Sequence, residues 1–322
     1  MKKMLKNKIK IYFFFVLILA LPTNGYSKIG YDTLSQLIHN APYIAKGKIS
    51  LQNEKVILNI KKMLKGKSQN ELTISFLHDF EAPDPKFSDG EEVILFLHIP
   101  DFSKGYIIPG LGAIPMPEVK EGEMYLFGLG DQAKWPKRYS GKYKFMPYPE
   151  LQDTASLEAI NNVVQKILKV EDSNNLDEKI KLCTEYIKSS DKLLQYTAME
   201  YALDSGFLDS FYKKDKKILN QFYNEIIKLN LINDDESTIR SEAIRFLRLA
   251  EVLEVIPLLI PKITDSDRLV RSATLEILFR HIRDSKDNKY FSPDDSMDKL
   301  KSIQMKWNEW WLENKDKFTK KE

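Results

Sequence analysis

Thr238–Leu247 reads TIRSEAIRFL, and 31 residues later Leu269–Leu278 reads LVRSATLEIL. The two stretches agree by role. Ile239 and Val270, Ile244 and Leu275, and Leu247 and Leu278 are apolar at matching positions, and Arg240 and Arg271 follow the first of each pair. An acidic residue stands six places before each arginine, at Asp234 and Asp265. Val255–Ile263, VIPLLIPKI, precedes the second copy as its partner helix. A single helix pair of this kind cannot bury its own apolar face, and stacking copies is the physical reason to repeat it.

Around this repeat the apolar spacing is helical from about residue 154 onward. LEAINNVVQKILKV places Leu157, Ile160, Val163, Val164, Ile167 and Leu168 on one stripe, and similar stripes recur between polar turns such as NDDES and TDSD. Residues 42 to 148 have a different texture. YIAKGKIS, KVILNIKKML, ELTISFLH, EEVILFLHI and KGYIIPG are short runs rich in branched and aromatic residues, and ten of the 13 glycines fall here. These features predict a short helix at YDTLSQLIHNA, a β-rich domain over 28–150 with a hairpin turn at Ser140-Gly141, and a helical domain over 151–322. The fold class expected is therefore a small antiparallel β-barrel or sheet followed by a short α-solenoid.

The segment VIPLLIPKITDSDRLVRSATLEIL resembles a HEAT-like repeat: a helix with an internal proline, a tight turn with aspartate, and a second helix opening with a Val-Arg pair. The resemblance implies that Asp234, Arg240, Asp265 and Arg271 form a ladder between adjacent repeats, and that the second helices line a concave face. On those helices Glu242, Arg245 and Glu276 lie off the apolar stripe and are the candidate groove residues. A weaker copy, DKLLQYTAMEYAL, has Leu194 and Ala198 in register, with Gln195 in place of the arginine and Ser189 in place of the aspartate. The order of runs in the β-rich half is similar to OB-like or netrin-like barrels of exported bacterial proteins, without the cysteines that many inhibitor members need.

Residues 1–27 follow the plan of a secretory signal: Lys2, Lys3, Lys6, Lys8 and Lys10, then the apolar run Ile11–Leu21, then PTNGYS with cleavage before Lys28. An uncleaved anchor would need about 20 apolar residues, whereas this run has 11 and ends at Pro22. The localisation expected is periplasmic or secreted, with no membrane anchor after cleavage. Without those five lysines, 44 basic residues face 46 acidic ones, a net charge of −2 that gives no general reason to expect nucleic acid or an anionic membrane as partner. Cys183 is the single cysteine, so no internal disulfide can form, and its apolar neighbours make it a small core residue.

The chemistry is sparse. His39, His78, His98 and His281 show no metal-ligand spacing, and no serine-nucleophile elbow, phosphate loop or dinucleotide fingerprint occurs. HDFEAPDPKFSDGEE clusters carboxylates but lacks the ladder of a calcium loop. KWPKRYSGKYKFMPY interleaves Trp135, Tyr139 and Tyr143 with lysines, a pattern that fits a glycan-binding platform or a hairpin with its aromatics inward. Trp307, Trp310 and Trp311 share one side of a terminal helix, as a capping helix requires. The expectation is an exported, non-enzymatic protein-interaction module without cofactor, binding another protein of the envelope or extracellular space. An envelope enzyme or ligand binder centred on the β-rich half is the alternative.

Overall fold

Helix α1 (Leu34–Asn40) opens with a reciprocal cap: Thr33 N–H donates to Gln36 Oε1 (3.0 Å) and Gln36 N–H donates to Thr33 Oγ1 (3.3 Å). It buries Leu34, Leu37 and Ile38. The computed structural model describes residues 33–53, 55–75, 87–98, 123–126, 134–135, 155–204, 216–249, 252–281 and 292–318. All of these belong to one compact unit.

The sheet comprises β1 (Tyr43–Gln52), β2 (Lys55–Lys65), β3 (Glu71–Ser75), β4 (Glu92–His98), β5 (Glu123–Leu126) and β6 (Lys134–Trp135). β1 pairs antiparallel with β2 on one side and with β4 on the other. β2 pairs with β3, and β4 with β5 and β6, also antiparallel. The expectation of a wholly antiparallel sheet needs one correction, because β3 and β5 are parallel. Strand direction alternates from β1 through β3, and β4 and β5 alternate from β1's other edge, so β3 and β5 meet pointing the same way. β5 falls in EMYL, which the sequence pattern did not single out, while KGYIIPG and the Ser140-Gly141 turn lie outside the described residues.

β4 explains why its sequence runs VILFL without alternation. Val93, Ile94, Leu95, Phe96 and Leu97 are all fully buried, so both faces of the strand are covered. Register puts Val93 and Leu95 on the face shared with Gly47 and Ala45, and Ile94 and Phe96 on the face shared with Lys46 and Ile44. Helix α2 (Leu157–Asp172) packs against β4 and β2. The core therefore runs without a break from sheet to helices.

The helical part continues with α3 (Leu176–Ile187), α4 (Lys192–Asp204), α5 (Lys216–Lys228), α6 (Ser237–Phe246), α7 (Val252–Leu259), α8 (Arg268–His281) and α9 (Met297–Asn314). The stripe Ile160, Val163, Val164, Ile167 and Leu168 of α2 is buried. Cys183 on α3 is buried as well, and burial pushes its thiol up to about 12, which keeps it protonated and inert. VIPLLIPKI does not form one continuous helix: α7 stops at Leu259 and Ile260–Thr264 tightens into a 3-10 turn with Pro261 at its start. Pro261 has no N–H to give to the preceding turn, and with Pro257 inside α7 already lacking one, the α ladder loses two bonds four residues apart and gives way to the tighter turn. α8 packs on α6 and α6 on α4, and α9 packs on the 3-10 turn Ile260–Thr264, where Gln304 Nε2 donates to Ile260 O (3.1 Å). Trp307 is buried, while Trp310 and Trp311 are half-buried and hold Phe318 against them. Among the described residues no helix is long and apolar enough to cross a membrane.

Candidate functional site

Each of α4, α6 and α8 starts from the same local device. Asp234 Oδ1 accepts from Glu236 N–H (3.0 Å) and Asp265 Oδ1 from Asp267 N–H (2.9 Å). Ser189 Oγ makes the same bond to Asp191 N–H (3.1 Å), so the serine that replaces aspartate in the weaker copy keeps the turn. A fourth turn before α9 repeats it with Ser292 Oγ and Asp294 N–H (3.2 Å).

Cations from one copy reach the turn of the next. Arg240 donates from Nη2 and Nε to the two carboxylate oxygens of Asp265 (2.9 and 3.2 Å), and from Nη1 to the carbonyls of its own turn, Asp234 O (2.8 Å) and Asp235 O (2.9 Å). Arg271 folds back in the same way onto Asp265 O (2.7 Å) and Ser266 O (2.9 Å), and its Nε donates to Pro293 O in the fourth turn (2.7 Å). Asp234 is met by Lys192 at 2.5 Å. Burial works to raise the Asp234 carboxyl, but the bonds from Lys192 and Glu236 N–H prevail and hold it below the usual aspartate value.

Lys192 is the member that sequence reading missed. It precedes the aligned apolar residue Leu194 by two, where Arg268 precedes Val270, and Arg268 likewise pairs forward with Asp294 (2.6 Å). Comparing that register position as well as the arginine position exposes the signal. Gln195, standing where the arginine would be, donates backward to Ile187 O (2.6 Å) and reaches no acid.

The three candidate groove residues differ in exposure. Glu242 is not a groove residue in the sense expected, because it is only 2% exposed; its place off the apolar stripe predicts a surface residue, yet its carboxylate lies buried and accepts from Arg245 Nη1 (3.2 Å), which reaches in from the surface. Arg245 itself keeps 47% of its side chain exposed. Glu276 is exposed. Glu200, Arg245 and Glu276 each lie six residues after the aligned apolar position of α4, α6 and α8, so charge alternates along the row. Glu242 first, and further off Tyr196, Glu276 and Glu200, hold the Arg245 guanidinium above its ordinary value against the opposing effect of burial. The α4 end of the row is closed: Glu200 is buried and bonded by Tyr196 Oη (2.9 Å), and α4 packs against α1, α2, α3 and α6. The open part lies on α6 and α8.

A second polar node joins sheet and helices. Glu171 at the end of α2 accepts from His39 Nδ1 (2.9 Å) and Lys65 Nζ (3.1 Å), and the same Lys65 Nζ donates to Ile38 O (2.8 Å) and His39 O (3.0 Å). Trp135 lies on β6, its side chain outside the described set, and Tyr139, Tyr143 and His78 lie outside the described residues altogether. Among the described residues no group of three or more His, Cys, Asp or Glu is arranged to hold a metal ion. No family model, curated protein or solved structure matches the chain.

Proposed function

We propose that this chain is an exported, non-enzymatic interaction module in which a small OB-like barrel is joined to a short HEAT-like stack, and that the exposed part of the α6–α8 face binds another protein of the envelope or extracellular space. Support for the barrel comes from the pairing circuit, in which β1, β2, β3, β5 and β4 follow one another and β4 returns to β1. A circuit of five strands cannot alternate throughout, so one parallel pair is the expected signature of closure. Support for the stack comes from the four like turns and the cations that bridge them. Export rests on the cationic and apolar plan of residues 1–27.

The observation that carries the functional reading is Arg245. A half-exposed guanidinium held by the buried Glu242 is already oriented before any partner arrives, and Glu276 occupies the same position on the next helix. Pre-oriented charges of opposite sign recognise a partner of matching polarity with little ordering cost. The test is capture of proteins from envelope extract by the whole chain, beside Glu276→Arg and Arg245→Lys forms that melt like the wild type. Loss of a specific partner with Glu276→Arg and weakened retention with Arg245→Lys, which keeps the charge but not the oriented fork, fits the reading. A wild-type chain that retains nothing, or a partner indifferent to Glu276→Arg, sinks it.

A further inference from the structure

The outer side of the β4–β1–β2 ribbon has an unusual run of lysines. Register sets Lys46 directly opposite Lys62, and Lys48 opposite Asn59 on one side and Glu92 on the other. Directly paired residues share a face, as do residues two apart, so Lys46, Lys48, Lys62 and Glu92 all project from the same side. Lys61 would point the other way in a regular strand. The register shift between Lys46 and Gly47 leaves Lys61 as an extra residue of β2, and its Nζ pairs with Glu92 across β1. Two consecutive lysines are thereby brought to one face.

That face is shared with Lys65, paired to Ile44, but there α1 and Glu171 of α2 cover and neutralise it. Beyond Lys46 it is open: Lys48, Lys61 and Lys62 are exposed and Lys46 half-buried. Among the described residues its acids are Glu92, set among Lys61, Lys46 and Lys48, and Glu71, which lies beyond Asn59. Lysines commonly guard the free edge of a sheet. Neither β1 nor β2 is an edge, since each is hydrogen-bonded on both sides, and a Lys-Lys pair directly across strands is unfavourable by itself. The placement therefore calls for an external anion.

We propose that this lysine face is a docking surface for the anionic headgroups of a lipid bilayer, engaged reversibly and independently of the α6–α8 face. Among the described residues no arginine lies on this face, and the aromatics that register brings to it, Phe96 opposite Ile44 and Trp135 opposite Ile94, stand to one side of Lys46 and not between the lysines, so the fork that phosphate chelation needs and the interleaved stack that bases need are both missing from the lysine cluster itself. A sheet face of point charges suits a plane of diffuse negative potential, toward which each lysine contributes separately.

The test is co-sedimentation of the whole chain with phosphatidylserine-containing and pure phosphatidylcholine vesicles. The same N-terminal lysines and apolar run are present in every variant, so their contribution cancels. K46Q/K48Q/K62Q should lower the partition onto the anionic vesicles by about a hundredfold at low salt, with an unchanged melting curve. K299Q/K301Q/K306Q, which removes three exposed lysines of α9, should retain wild-type binding. Equal binding by K46Q/K48Q/K62Q and wild type overturns the proposal. So does a loss of retention on a soluble polyanion such as heparin with vesicle binding intact.

Discussion

Arg240 and Asp265 are 25 residues apart in sequence and joined by two parallel hydrogen bonds, while the remaining nitrogen of the same guanidinium holds the carbonyls of Asp234 and Asp235. One side chain thus fixes the turn before α6 relative to the turn before α8. Both partners are largely buried, at 12% and 9% exposure, so removing one strands the other away from water. Arg240→Ala should lower unfolding stability by about 3–5 kcal/mol. Arg240→Lys should recover less than half of that loss, since an ammonium cannot reproduce the fork. Urea unfolding of the two variants beside Asp265→Ala and the double variant checks it; additive losses would show that the pair does not act as a unit.

Arg271 makes the same backward bonds but ends on a carbonyl, Pro293 O, instead of a carboxylate. Arg271→Ala should therefore cost less, about 1.5–3 kcal/mol. A melting temperature equal to the wild type would show that the last turn is held by other contacts, with Arg268–Asp294 the first to examine.

Acid should loosen the first rung before it disturbs the apolar core. The Asp234 carboxyl is held below its ordinary 3.8, so its contribution is complete above that value and is lost as pH falls through the lower folded value. Stability measured by urea should be flat from neutrality to about pH 5 and decline below about pH 4. Asp234→Asn should be less stable at neutral pH and show a shallower acid decline. A parallel decline in both proteins would assign the acid sensitivity elsewhere.

How much of this was legible depended on what each residue does. The Asp-Arg spacing of six located the turns of the two clear copies, because a guanidinium that folds back on its own turn fixes that distance. Lys192 escaped because it supplies charge from another register position. Glu242 was misplaced because hydrophobic periodicity treats every carboxylate as solvated, whereas Arg245 neutralises this one as it enters the interior. Val93–Leu97 announced a strand, but only pairing and helix packing reveal that both its faces are covered. The bulge that turns Lys61 outward left one local sign, Gly47 inside the run YIAKGKIS at the point where the register shifts, but a lone glycine does not say which residue of the neighbouring strand is the extra one.

Gly47 marks how tightly that ribbon is fitted. A Cβ there would meet Asn59 O at 2.4 Å and Leu58 Cδ1 at 2.9 Å, beside the bulge and between two paired strands. The Asn59 carbonyl is backbone of the paired strand β2 and has little room to yield, so Gly47→Ala should destabilise by about 1–3 kcal/mol. Gly90 faces only the flexible end of Lys48, but its φ of +75° is a turn conformation that favours glycine, so Gly90→Ala should also cost about 1 kcal/mol. Unfolding midpoints rank the two; a Gly47→Ala protein as stable as wild type would mean that β2 can shift along β1.

The junction of sheet and helices gives the last test. Glu171 collects His39 and Lys65, and Lys65 in turn closes the carbonyl end of α1 through Ile38 O and His39 O. Glu171→Gln keeps the size of the side chain and removes its charge, leaving Lys65, which is only 26% exposed, without its counter-ion. The apolar contacts of Leu34, Leu37 and Ile38 remain, so the fold should persist with a loss of about 1–3 kcal/mol. The loss should be local: amide exchange should quicken in α1 and near Lys65 while α6 to α9 stay protected, because their own ladder is untouched. Uniform quickening across all helices would show that sheet and helices open as one cooperative body. Unchanged exchange in α1 would show that apolar packing alone holds it.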